Sequence, residues 1–329
     1  MTRFVKLTLV VLAIAVSLTS LSFALPSGAE AAFPERPVNL VVPWPAGGRT
    51  DLSTRVIASV LQKELGVPVV VSNKTGGGGI VGAQAVASSR PDGYTIGVFS
   101  ISHIMSVYTK IPPMDFGQFD FLCKTYSFPQ AVIINAESPL KNWDEVIAYS
   151  KEHPGEIKFG HPGAGTADHI FGESLAKKLG VKWTFIPYKG DGPAGVGLAS
   201  KEIDLWGAPL SAALGLLEGG SLRVLGIAAD ERLELYPNAP THKEQGVDYT
   251  RLLSEYFCLP KGTPQDRVDI LLGAIERTLN SEEIKKHFGN IFVTADFQGP
   301  EATEKYVMDT VKEVEPIVDS LGLNIAPKN

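Results

Sequence analysis

"VVPWPAGGRTD", Val41 to Asp51, ends a β-branched run with two prolines and two glycines, then meets an Arg and an Asp. Behind it Leu52, Val56, Ile57, Val60 and Leu61 recur at helical spacing until Gly66. The stretch is therefore a strand-to-helix turn. The same order returns along the chain. "VPVVVSN" precedes a glycine run and "IVGAQAVASS", and "AVIINA" precedes "NWDEVIAYSKEHPG", where Asn142 and Glu145 have capping-box spacing. "IKFG" leads to "TADHIFGESLAKKLG", "WTFIPY" to "PAGVGLASKE", and "IDLWGA" to "SAALGLLEGG". Strand, loop and helix in repetition imply an α/β protein with mostly parallel sheets flanked by helices.

In such folds ligands bind beyond the carboxyl ends of the strands, where loops meet helix N-termini. "PWPAGGRTD", "NKTGGGG", "SISH", "HPGAGTADH" and "PYKGDGPAG" all fall at such places. Glycine there brings backbone N–H groups close, and the helix dipole favours an anion. Glycine-rich loops also make ordinary tight turns; it is their number on one chain that points to binding.

The ends and the bulk narrow the class. Arg3 and Lys6 are followed by uncharged Leu7–Leu25 and the small-x-small trio Ala29-Glu30-Ala31. That order reads as a secretory signal over residues 1–31, leaving a mature chain that is not membrane-embedded. The 329 residues carry a net charge of −6 and no long basic run, which argues against nucleic acid. The length suits two domains. Cys123 and Cys258 are the two cysteines; in an exported chain they either pair or stay as buried free thiols.

Enzyme motifs fare poorly. Gly77, Gly79 and Gly82 fit G-x-G-x-x-G, but the acid expected about 20 residues on is missing. No phosphate-loop Lys follows the glycines, and neither G-x-S-x-G nor H-E-x-x-H occurs. His161, Asp168 and His169 lack a metal-ligand spacing. A non-catalytic binding protein without cofactor or metal is the expectation, with an exported enzyme as the alternative.

From Phe33 onward the chain resembles the Bug family, extracytoplasmic solute receptors of tripartite tricarboxylate transporters. The resemblance rests on "FPERPVNLVVPWPAGGRTD", "NKTGGGGIVGAQAVA", "PDGYTIGV", "HPGAGTADHIFGE", "PYKGDGPA", "LRVLGIAADER" and "LPKGTPQDRVDIL". It implies a two-domain periplasmic-binding-protein-like fold (type II), closing like a flytrap on a small organic acid. Domain 1 would be residues 33–130 plus 255–329 and domain 2 residues 131–254, with "FLCKTYSFPQAVIIN" and "LLSEYFCLPKG" as hinge crossings. These crossings carry Cys123 and Cys258, which are expected side by side within about 7 Å.

The resemblance also implies the site. Trp44, Ala46, Gly47, Gly48, Thr50 and Asp51 belong to one jaw, and Gly163, Gly165, Thr166 and Ala167 to the other. Ser102, His103, Tyr188 and Pro209 complete the lining. The implied partners are a permease in the membrane and a small acid, the implied place the periplasm, and the implied state a monomer. A sensor feeding a signalling partner is a further alternative. Arg49 and Asp168 depart from the family's small residues, and "WGAPLSAA" lacks an acid or amide after its strand. Arg49 and Asp168 would either latch the closed cleft as a salt bridge or serve a ligand with a donor beside its carboxylate. The favoured ligand is a monocarboxylate with an apolar body between Trp44 and Trp206. In the plainest case both charges simply face solvent.

Overall fold

The computed structural model describes residues 33–47, 49–109, 113–234 and 236–325. The expected signal segment and Gly48 lie outside the described residues. β1 (Val38–Val42) enters α1 (Arg49–Leu65) through the proline–glycine turn, and β2 (Val69–Asn73) reaches α2 (Ile80–Ala87) through the glycine run. Gly66 ends α1 as expected: it adopts φ 69°, and its N–H bonds the Gln62 carbonyl at 3.0 Å.

β3 (Thr95–Ser100) passes directly into α3 (Ile101–Thr109), and β4 (Phe119–Asn135) follows. Beyond come α4 (Trp143–Glu152), β5 (Lys158–His161), α5 (Ala167–Leu179), β6 (Thr184–Pro187), α6 (Asp191–Ala199), β7 (Leu205–Pro209), α7 (Leu210–Glu218) and β8 (Leu222–Ile227). The chain returns along β9 (Leu252–Pro260) and ends through α8 (Gln265–Asn280), α9 (Glu282–Gly289), β10 (Thr294–Gln298) and α10 (Pro300–Ser320). At α4 the Asn142 side chain accepts from the Glu145 N–H at 3.0 Å. The Glu145 carboxylate reaches back to the Lys141 N–H at 2.7 Å, one residue earlier than a standard capping box.

Residues Arg36–Asn329 hold together as one unit. Its sheet follows the path β2-β1-β3-β9-β4-β7-β5-β6, with β8 and β10 also paired to β4. The pairing is parallel at both flanks, β2-β1-β3 and β7-β5-β6. In the middle it is antiparallel, because β4 and β9 run against their neighbours. The mostly parallel expectation holds only for the flanks. β4 is 17 residues long; its first part pairs with β9 and β10, its last part with β7 and β8.

The apolar run ending β4 is covered on both faces, which is why it shows no alternation. Ala131 and Ile133 pack with Trp206, Leu210 and Ala213. Val132 and Ile134 pack with Trp143, Phe159 and Phe171. The cysteines sit on adjacent strands, but the register places Phe121 opposite Cys258 and Phe257 opposite Cys123, with a bulge between. Both thiols are buried and free. The bridged alternative is not the one adopted.

Candidate functional site

One cleft of about 740 Å³ collects the amino ends of five helices. α1 contributes Arg49 and Thr50, α3 Ile101 and Ser102, α5 Ala167 and Asp168, α6 Asp191, and α7 Ser211 and Ala212. Trp44, Thr166 and Pro209 precede helices at the rim, and Phe128 of β4 with Leu253, Ser254 and Glu255 of β9 make the floor. The first N–H groups of an α-helix have no partner within it, and each such end carries a partial positive charge. Five of them on one space favour an anion there.

The first jaw is held by its own side chains. Asp51 is 1 % exposed. It accepts from the Gly47 N–H at 2.9 Å, from Arg55 Nε at 2.9 Å and from Asn73 Nδ2 at 2.9 Å. The Arg55 bond leads in drawing its pKa down to about 2 against the opposing effect of burial. Asn73 Nδ2 also donates to the Trp44 carbonyl at 2.9 Å. Asp51 and the Gly47 N–H thus shape the turn, and Ala46 and Gly47 stand exposed outside the cleft lining. Ser102 lines the cleft, whereas His103 is wholly buried beneath it. His103 stacks on Phe99 with ring centres 4.5 Å apart, and its Nδ1 accepts from the Ser100 N–H at 3.1 Å. Burial pushes this imidazole down to about 4, so it is neutral. Gly79 covers it, and a Cβ there would stand 2.8 Å from His103 Nε2.

The second jaw has the same internal bracing. His161 and His169 stack with centres 4.1 Å apart. His161 Nδ1 lies 2.8 Å from the Gly163 carbonyl oxygen, which it can meet only as a donor. His169 Nδ1 accepts from the Gly165 N–H at 3.1 Å. Burial lowers both imidazoles, His169 to about 4. Thr166 caps α5, accepting from the His169 N–H and donating to the Gly163 carbonyl at 2.8 Å. Gly163 and Gly165 are absent from the cleft lining, while Thr166, Ala167 and Asp168 belong to it. Tyr188 packs against Gly197 of α6 and is not among the residues lining the cleft. Trp206 is a correction: it is 0 % exposed within the core, so it walls nothing, whereas Trp44 borders the cleft.

The charges do not pair as a latch. Among the described residues no ion pair joins Arg49 to Asp168. The Arg49 guanidinium lies over the Phe128 ring, 3.4 Å from its centre, and its Nη1 is buried without a hydrogen-bond partner. Asp168 instead accepts from Gln130 Nε2. Burial, helped by the nearby Asp191, lifts its carboxyl to about 7 while Gln130 and Arg49 pull it back. Burial also lifts Asp191, opposed by Arg49. Glu255 is 1 % exposed, with one oxygen accepting from Thr50 Oγ1 and the other from Tyr126 OH, both at 2.6 Å. Burial raises it too, against the pull of Arg49. Neither Arg49 nor Asp168 is a solvent-facing ornament.

Asp191, Phe128, Gln130 and Glu255 went unnoticed in the sequence. Asp191 stands within "PYKGDGPA" directly at a helix start. Glu255 is the single acid in the apolar strand "LLSEYFCLP", a burial pattern that calls for a partner. Those two signals were available. Phe128 and Gln130 carry none beyond their position on a long strand.

A cleft ringed by helix starts, with two long strands crossing beneath it, is the build of a solute-binding receptor. Residues 53–323 match the model of TctC, the tripartite tricarboxylate transporter family receptor. The chain belongs to that family. It is 30% identical over 97% of its length to Protein BugT of Bordetella pertussis, covering 99% of that protein. Among solved structures it is similar to MatC (Rpa3494) of Rhodopseudomonas palustris with bound malate, at 27% identity and TM-score 0.71, covering 87% of this chain and 100% of that one. It is likewise similar to R. palustris Rpa4515 with adipate, at 27% identity and TM-score 0.75, over 88% and 98% of the two chains.

Proposed function

We propose that the chain is an exported receptor that captures a small carboxylate in this cleft and hands it to the membrane permease of a tripartite tricarboxylate transporter. The observation that carries the reading is the convergence of five helix N-termini and the unpartnered Arg49 Nη1 on one space. Backbone donors at helix starts favour an anion, and Arg49 adds the one full countercharge among the described lining residues. The malate and adipate held by the two similar structures are acids of this kind. Residues 33–130 with 255–329 act as one lobe and 131–254 as the other, β4 and β9 bending between them as the acid is enclosed. The mature protein works as a monomer in the periplasm after loss of residues 1–31.

A thermal-shift screen of small acids tests this. A true ligand at about a hundred times its Kd stabilises the fold by about 2.7 kcal/mol and raises the melting temperature accordingly. No shift with any small acid, together with turnover of some substrate, would instead establish the exported enzyme.

A further inference from the structure

The polar atoms of the cleft do not all ask for an anion. Of the lining residues, Arg49 has a buried donor, Nη1, without a partner, and Asp191 a buried acceptor, Oδ1, without one. Asp168 beside it has one oxygen, Oδ1, taken by Gln130 Nε2. Glu255 is not part of this demand, since Thr50 and Tyr126 fill both its oxygens. The cleft therefore offers donors, at Arg49 and the helix ends, together with carboxylate acceptors, at Asp191 and Asp168.

A plain dicarboxylate answers only half of that pattern. Its first carboxylate suits Arg49 and the helix N–H groups. Its second has no hydrogen to give Asp191 and Asp168, so it leaves the Asp191 acceptor unpaired and, once these carboxyls ionise, meets a like charge. Resting on the carboxylate-receptor reading, we propose that this cleft selects an acid that also carries an N–H donor, an amino acid or a half-amide, over the corresponding plain diacid. The donor group lies against Asp191 and Asp168, and the carboxylate lies towards Arg49. Burial raises both aspartates in the empty cleft, and Asp191 raises Asp168 further; an N–H donor relieves that pressure, and a carboxylate adds to it.

Isothermal titration of the purified receptor decides the point. Each of the succinate, glutarate and adipate skeletons is offered as the diacid, the half-amide, the ω-amino acid, the α-amino monoacid and the plain monoacid. The expected result is a donor-bearing form at least about tenfold tighter than its diacid, about 1.4 kcal/mol. The ammonium and amide arms tell which donor the site takes. In Asp191→Asn and Asp168→Asn the preference for the donor-bearing form over its diacid shrinks by a similar factor. Using both variants, each checked for its melting transition, guards against one failing to fold. A diacid that outbinds its donor-bearing partners, or a preference unchanged in both variants, overturns the inference and leaves the carboxylate receptor standing. Failure of every acid to bind overturns the receptor reading and this inference together.

Discussion

Asp168→Asn should stabilise the empty receptor, and by an amount that depends on pH. Asp168 is 8 % exposed at the start of α5 and is held at about 7 against an ordinary 3.8, chiefly by burial and then by Asp191. A carboxyl raised by folding favours the native state while protonated. That contribution is full below its unfolded value and is lost as pH climbs through the folded one. Above about pH 7 the ionised Asp168 therefore costs up to about 4 kcal/mol, at 1.36 kcal/mol per pH unit. Asn keeps an acceptor for the Gln130 amide and carries no charge, so it escapes the penalty. Its advantage should grow by about 2–3 kcal/mol between about pH 5 and about pH 8, or roughly 2 °C in melting temperature per kcal/mol. Urea titrations followed by tryptophan fluorescence across that range measure it without ligand. An advantage that is flat with pH, or an Asn variant less stable than wild type at about pH 8, refutes the reasoning.

Arg49→Ala should weaken carboxylate binding by about tenfold to a hundredfold in calorimetry, the worth of a hydrogen bond to a charged group; unchanged affinity would assign recognition to the helix ends alone. Trp44→Ala should also lower affinity, whereas Trp206→Phe, altering a core residue, should lower the melting temperature and leave affinity within about twofold. Gly79→Ala should cost roughly 2 kcal/mol or more in urea stability, because its φ is 104° and the new Cβ meets His103 at 2.8 Å; a neutral result would show that α3 can shift. Burial pushes the Cys123 thiol above the usual range, and that of Cys258 well above it. A thiol reagent should accordingly label neither in the folded protein and both in denaturant, while no labelling in denaturant would reveal a bridge.

The strand-to-helix turns were legible because their signals are local. A β-branched run, a proline–glycine turn and apolar residues at helical spacing sit within two dozen positions at Val38–Leu61. What was not legible is which groups those turns spend on themselves. Gly47 and Gly165 looked like donors to a ligand, yet the Asp51 and His169 side chains, each four residues later, take their N–H groups. Sequence spacing cannot separate a brace from a binding group, since both require a polar side chain near a glycine. Trp206 misled for a different reason: β7 is covered on both faces, so alternation gave no sign of which way it points. Glu255 and Arg49 lie 206 residues apart, and only the return of β9 along β4 brings their charges to one cleft. The antiparallel centre escaped notice because pairing direction leaves no mark on a strand buried on both faces.

The central claim is that helix ends and Arg49 hold a carboxylate in this cleft, and a crystal structure with the tightest-binding acid tests it most directly. The account predicts the ligand's carboxylate oxygens within hydrogen-bond distance, about 2.7–3.2 Å, of Arg49 and of the first N–H groups of α1, α5 or α7. A carboxylate bound elsewhere on the molecule, or lying in the cleft with Arg49 still over Phe128 and no helix N–H in reach, would contradict it.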